Sequence, residues 1–390
     1  MVAAIVFTGG EVRSSQRAAV LLGRLGMQVS CKTVERVLSD VGEELIDRRD
    51  HHQLSNEKIA APPQLAVIEC DGGRIMTREP GQGPGVHEPA WKETKNAGLF
   101  RMTSEEALED PHPELPGAFA DRARVAALAE KASLENPAEN GEKSPLEELG
   151  DEFSGSKPDD KHRPKVLVRT VLSSMADAAT FGQQMKQEAR QRRFDEAPRR
   201  AFVGDGLPWN WTIHREHFSD YVPILDFIHV TSYLYAAAMC MAQSWAVYLR
   251  LATACRQGKA DAVIDELLGW LHQQGILEPE AIGKEHPLRA VVDAWRYLSN
   301  NRGRMDYPAY RRAGLSVTSP LMESLVKQIN QGVKGTEMFW DRPGGAERIL
   351  QIRAAILSDD DRLARYLRDR PGCRYVRRST ARHKTLATGA

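Results

Sequence analysis

Between Lys165 and Gly206 the sequence runs through a short apolar stretch, an amphipathic segment and a second apolar stretch, and this triplet restricts the fold most. Lys165-Val166-Leu167-Val168-Arg169-Thr170-Val171-Leu172 has the length and β-branched content of a strand. From Ser174 to about Arg193, Ala178, Phe181, Met185 and Ala189 recur on one helical face. Arg200-Ala201-Phe202-Val203 is extended again and stops at Gly204-Asp205-Gly206. Strand, helix, strand predicts a crossover and therefore a parallel pairing. Upstream, Leu65 to Cys70, Arg74 to Thr77 and Ala97 to Met102 predict three antiparallel strands, with Asp71-Gly72-Gly73 as the hairpin signal between the first two. The expected class is α/β, a mixed sheet flanked by helices.

The flanks read differently. Residues 14 to 46 predict two helices. Gly26 stops the first, Ser30 caps the second, and Val34, Val37, Leu38 and Val41 form the apolar stripe of the second. A joint of this length suits a helix-turn-helix, with Lys32, Thr33 and Arg36 on its exposed face. After Asp205 the pattern is helical over about 224–256, 260–273, 279–298, 320–334 and 345–368. The apolar stretch Ile224 to Leu249 carries Asp226, His229 and Gln243, which a bilayer span of about 20 residues would not readily accept. A helix is expected over Phe119 to Ala132, and the polar stretch from Leu134 to Pro164 is expected to be a mobile surface insertion.

A net charge of zero conceals an asymmetry. Thr103 to His162 holds sixteen acidic residues against six basic ones, whereas the chain after Asn300 holds eighteen basic against nine acidic. A basic C-terminal third suits a polyanionic partner, since each neutralised phosphate releases counterions. Five cysteines without a CxxC pair exclude a disulfide framework and a zinc ribbon. With no secretory signal apparent, the expected compartment is the cytoplasm, with no membrane partner. Phosphate loops of the GxxxxGK[ST] or GxGxxG kind and GxSxG elbows are missing from the sequence.

Two acids stand at equivalent places, Asp71 after the first predicted strand and Asp205 after the strand of the crossover, each beside glycine. Carboxylates at neighbouring strand ends can converge on one hard cation; each Asp-Gly can equally be turn chemistry. A third acid, Glu323, lies in the first turn of a helix opened by Ser319-Pro320. Lys327, Asn330 and Lys334 follow within about three turns, where they could hold a phosphate backbone. Asp226 and His229 are three apart on one helix face and can brace the acids. Trp209 and Trp211, read as an extended segment, would share one side, one packing and one stacking on a base. Arg74, Trp340 and the run Arg374 to Arg378 are further candidates for DNA contact.

Four runs in order carry a resemblance to a known family: Glu69-Cys70-Asp71-Gly72-Gly73-Arg74; Trp91-Lys92-Glu93; Val203-Gly204-Asp205-Gly206-Leu207-Pro208-Trp209-Asn210-Trp211; and Met322-Glu323-Ser324-Leu325-Val326-Lys327-Gln328-Ile329-Asn330. From about Ala61 to Gly372 the chain resembles bacterial insertion-sequence DDE transposases of the ISKra type. The resemblance implies an RNase-H-like catalytic core in which Asp71, Asp205 and Glu323 bind two Mg²⁺, with Mn²⁺ as substitute. It also implies a helical insertion carrying a Cys-or-Asp, two residues, His motif, matched by Asp226-Phe227-Ile228-His229.

The implied organisation is a helix-turn-helix segment at 1–60, core at 61–102, an acidic insertion at 103–163 and core again at 164–222. A helical insertion at 223–315, C-terminal core helices at 316–370 and a basic tail at 371–390 complete it. The implied reaction is Mg²⁺-dependent phosphodiester cleavage and strand transfer at insertion-sequence ends. Its partners would be double-stranded DNA, as transposon ends and target, and further copies of the chain on that DNA. The alternative is a catalytically inactive or truncated transposase-derived DNA-binding protein. A reading from another class, a carboxylate-pair glycosidase-like hydrolase, predicts no metal requirement.

Overall fold

The computed structural model describes residues 1–51, 61–77, 90–133, 160–333, 340 and 343–370. Five strands form one sheet: β1 (Leu65–Thr77), β2 (Ala90–Met102), β3 (Val166–Ser174), β4 (Arg199–Gly204) and β5 (Val222–Leu225). Their order is β3-β2-β1-β4-β5. The first three are antiparallel neighbours, while β4 pairs parallel to β1 and β5 parallel to β4. The expected α/β class and mixed sheet are therefore present.

Three details of the sheet differ from expectation. The chain does not turn at Asp71-Gly72-Gly73: β1 runs straight through, with Asp71 opposite Asn96 and Gly73 opposite Thr94. The ladder with β2 continues past the glycines as far as Thr77 opposite Ala90. The crossover strand β4 pairs with β1 rather than with β3. Since β2 already separates β1 from β3, the open side of β1 is what the crossover reaches. Finally, Val222-Pro223-Ile224-Leu225 is a strand where helix was expected; a four-residue edge strand tolerates its proline.

Before the sheet stand α1 (Val2–Glu11), α2 (Ser15–Arg24) and α3 (Cys31–Asp50). As expected, Ser30 caps α3 by accepting from the Thr33 N–H, and Val34, Val37, Leu38 and Val41 are buried. Between β2 and β4 lie α4 (Gly117–Ala120), α5 (Arg122–Ser133) and the crossover helix α6 (Ala178–Gln191). The polar insertion expected to be mobile lies largely outside the described residues.

After β4 come α7 (Pro208–His217), α8 (Phe227–Ala238), α9 (Ser244–Arg256), α10 (Ala260–Gln273), α11 (Arg289–Asn300), α12 (Tyr307–Arg312), α13 (Pro320–Val333), α14 (Pro343–Leu357) and α15 (Arg362–Asp369). The single helix expected over 224–256 is two, parted where Gln243 takes a positive φ of 53°. That expected over 345–368 breaks around Asp361, at φ 53°. There the chain seals the outer edge of β3: the Asp359 N–H donates to the Arg169 carbonyl at 2.9 Å and the Val171 N–H to Ser358 Oγ at 3.0 Å.

The sheet is covered on both faces. Side chains alternate along β1, so Cys70 meets Met185 of α6 while Glu69, Asp71 and Ile75 face α13 and α14. The N-terminal helices do not form a core of their own. Ile5, Leu22, Val34 and Val41 pack with Ile352, Leu363 and Tyr366 of α14 and α15. Gly42 permits the close crossing, since a Cβ there would lie 2.5 Å from Cβ of Arg348. Among the described residues no helix is long and apolar enough to cross a membrane.

Candidate active site

Strands β1, β4 and β5 run side by side in the same sense, and one rung of the sheet joins Cys70, Gly204 and Leu225. One residue beyond that rung, each strand presents an acid: Asp71, Asp205 and Asp226. Cys70 points toward α6, so the next position points to the face of α13. Neighbouring strands are about 4.8 Å apart, which makes Asp71 and Asp205 immediate neighbours. Asp71 thus reaches the site from within β1, not from a strand end, because β1 outruns β4.

These acids are costly to ionise. Burial, then repulsion by Asp205, pushes Asp71 up to about 7, against the pull of His229 and the Gly72 N–H. Burial also raises Asp205 and Asp226, and His229 opposes both. Glu69, two residues before Asp71 and so on the same face, is 1% exposed and is raised well above the carboxylate range by burial and by Asp226. His229 opposes the rise at each of the three aspartates. Its Nε2 lies 3.8 Å from the Asp226 carboxylate, an electrostatic contact rather than a hydrogen bond.

Asp205 is fixed locally. Its Oδ1 accepts from the Leu207 N–H at 2.9 Å and from Asn210 Nδ2 at 2.6 Å. Tyr297 Oη donates to the Asp205 backbone carbonyl at 2.7 Å. Asp226 caps α8 through the Ile228 N–H at 3.0 Å and reaches across to the start of α13, accepting from the Ser319 N–H at 3.2 Å and from the Ser319 hydroxyl.

That second contact seats α13 beside the acids. The Met322 N–H, which donates to the Ser319 carbonyl at 3.0 Å, is near enough to Glu69 to lower its proton affinity. Two turns later Asn330 Oδ1 lies 3.6 Å from where a Cβ on Gly73 would sit. The helix therefore runs along β1 from Glu69 to Gly73, and position 323 lies on that stretch. The side chain of Glu323 falls outside the described residues, as does Lys334. Among the described residues, no group of three or more His, Cys, Asp or Glu side chains is arranged to hold a metal ion.

The remaining candidates divide. Trp209 and Trp211 lie in α7, not in an extended segment, so they diverge. Trp211 packs with Phe202 in the core, while Trp209 is half-buried with Lys95 Nζ 5.7 Å from its ring centroid. Asn330 is half-buried, with its Oδ1 buried and without a hydrogen-bond partner among the described residues. Lys327 is half-buried and Arg74 is exposed. Trp340 donates through Nε1 to the Val333 carbonyl. Lys32 and Arg36 are exposed on α3, set apart from the acids in a different core cluster. Arg374 to Arg378 lie outside the described residues.

Sequence reasoning missed Glu69, Asn210 and Tyr297. Strand alternation from Asp71 could have found Glu69; Tyr297 is 92 residues from its partner Asp205 and carries no local signal. Neither a protein-family model nor a curated protein matches the chain.

Proposed function

We propose that the chain is a DDE-type DNA transposase, cutting and joining phosphodiester bonds at the ends of an insertion sequence. One observation carries the reading. Asp71 and Asp205 stand on adjacent parallel strands, half-buried beside the fully buried Glu69 and Asp226 and mutually repelling, with the helix that bears position 323 seated along the same face. The sheet is compatible with an RNase-H-like core, the finer class that this reading adopts.

The acid cluster suits a hard divalent cation, because its crowded carboxylates are raised in proton affinity and, among the described residues, His229 opposes that rise. Asp71, Asp205 and Glu323 would hold Mg²⁺, with Mn²⁺ as substitute. Bound there, two ions would supply activation of an attacking water or 3′-hydroxyl and stabilisation of the leaving oxygen. Asp71 would have to give up its proton for a cation to bind, so cation affinity should rise with pH through about 7. Asp226 and His229 brace the cluster: the first ties β5 to the start of α13, the second offsets its negative charge. Double-stranded DNA is the substrate, met as a homo-oligomer in the cytoplasm. Lys32, Arg36, Arg74, Trp209 and Lys327 are its proposed contacts.

The test is Mg²⁺-dependent nicking of duplex DNA bearing the element's ends. Asp205→Asn should bind that DNA and fail to nick it. Retained Mg²⁺-dependent nicking by this variant would overturn the assignment.

A further inference from the structure

Asp205 is gripped by two elements outside the sheet. From α7, Asn210 is fully buried and gives its amide N–H to Oδ1, which the Leu207 N–H also meets. From α11, Tyr297 donates to the backbone carbonyl of the same residue. The Tyr297 ring is itself held, stacked on Tyr233 of α8 with centroids 3.9 Å apart and planes 13° from parallel. It also closes over Gly206, where φ is +95° and a Cβ would come within 2.6 Å of the ring. Neither a turn nor a core requires this arrangement. A turn is complete with the Leu207 N–H on Oδ1, and a core tyrosine would be satisfied by any nearby carbonyl.

We propose that Asn210 and Tyr297 are positioning residues for Asp205, committing Oδ1 to the protein and leaving Oδ2 as the oxygen offered to a divalent cation. The proposal rests on the reading of Asp205 as a cation ligand. It assigns the helices after β5 a part in the site: α8 and α11, through the Tyr233–Tyr297 stack, set the backbone of the second acid. Hydrogen bonds behind a ligand orient it before the cation arrives, and losing one typically lowers metal affinity about 10- to 100-fold.

The experiment measures Mn²⁺ affinity by titration calorimetry on the full chain, beside nicking as a function of Mn²⁺ concentration. Tyr297→Phe removes the hydroxyl and keeps the stack; Asn210→Ala removes the other donor. Each should weaken Mn²⁺ binding about tenfold or more. Excess Mn²⁺ should restore nicking, which it would not do for a variant that merely loosens the fold. If Tyr297→Phe fails to fold, Asn210→Ala decides alone. Folded variants that bind Mn²⁺ like the parent would overturn the clamp and leave the transposase reading standing. A folded parent that binds no Mn²⁺ would sink the reading of Asp205 as a ligand, and the clamp with it.

Discussion

Two clusters of buried carboxylates sit in this protein, and they are built on opposite principles. Behind the sheet, Glu188 and Arg192 at the end of α6 meet Asp360 and Arg362 at the start of α15. Arg192 lies 2.9 Å from Glu188 and 2.5 Å from Asp360, and Arg362 lies 2.7 and 2.8 Å from the same two acids. Two acids face two guanidinium groups, so although burial pulls upward, Arg362 and Arg192 outweigh it and Asp360 falls to about 2. Beside the ends of β4 and β5, the half-buried Asp71 rises to about 7, where burial and Asp205 push it up against the pull of His229. Burial alone therefore does not set the character of a carboxylate; the arginine beside it does. The first cluster closes its charge within the chain and fastens α15 to α6. In the second, the described residues set an imidazole and no guanidinium against the acids, and a buried charge left in excess is where an external cation gains most.

The contrast is tested hardest by removing charge from each side. Asp71→Asn or Asp205→Asn should cost nicking several kcal/mol of transition-state stabilisation, about a thousandfold or more in rate, with the fold intact. In the closed cluster, Arg192→Met leaves two buried acids facing the one guanidinium of Arg362 and should destabilise the protein by about 3–5 kcal/mol, read from urea unfolding. A cost under about 1 kcal/mol would mean that this network is hydrated and that the comparison fails.

The two clusters should also respond to pH with opposite sign. Asp71 holds its proton more tightly folded than unfolded, so its contribution is present at low pH and is lost as pH rises from about 4 to about 7. Asp360 is depressed, so its contribution is present above about 4 and is lost as pH falls toward about 2. In cation-free buffer, Asp71→Asn should therefore match the parent near pH 4 and exceed it by about 1–3 kcal/mol at pH 8. Mg²⁺ should raise the melting temperature of the parent and not of this variant. A parent whose stability climbs between pH 4 and 7 as the variant's does would remove the open cluster.

How much of this was legible in the sequence follows from the range of the forces involved. Strand β3, helix α6 and strand β4 were readable because period and length are local. Ser30 and Val34 declared α3 for the same reason. Asp71 and Asp205 were found as a pair, yet Asp71 was misplaced at a strand end. Asp-Gly-Gly is turn chemistry by local preference, and the ladder to Asn96 and Thr94 overrides it. The edge strand Val222–Leu225 was hidden inside an apolar run, because four residues carry no period. The closed cluster was not read at all: Arg192 and Asp360 are 168 residues apart, and nothing in either neighbourhood announces the other.

The smallest effect concerns the N-terminal helices. Lys32 and Arg36 are four apart on α3, hence on one face, and both are exposed. If that face lies along a duplex, each contributes one phosphate contact. The double variant Lys32→Ala, Arg36→Ala should then flatten the slope of log affinity against log salt by about 2. Stability should change by less than about 0.5 kcal/mol, since the packing of α3 on α14 runs through Val34, Val37, Leu38 and Val41 on the opposite side. The shared core makes the alternative concrete. Helices α1 to α3 bury their apolar stripes against α14 and α15, and α14 covers the sheet, so they also brace it. An unchanged salt slope would assign them that bracing role alone, and the proposed duplex contact would then have to come from the surfaces around β1 and α7.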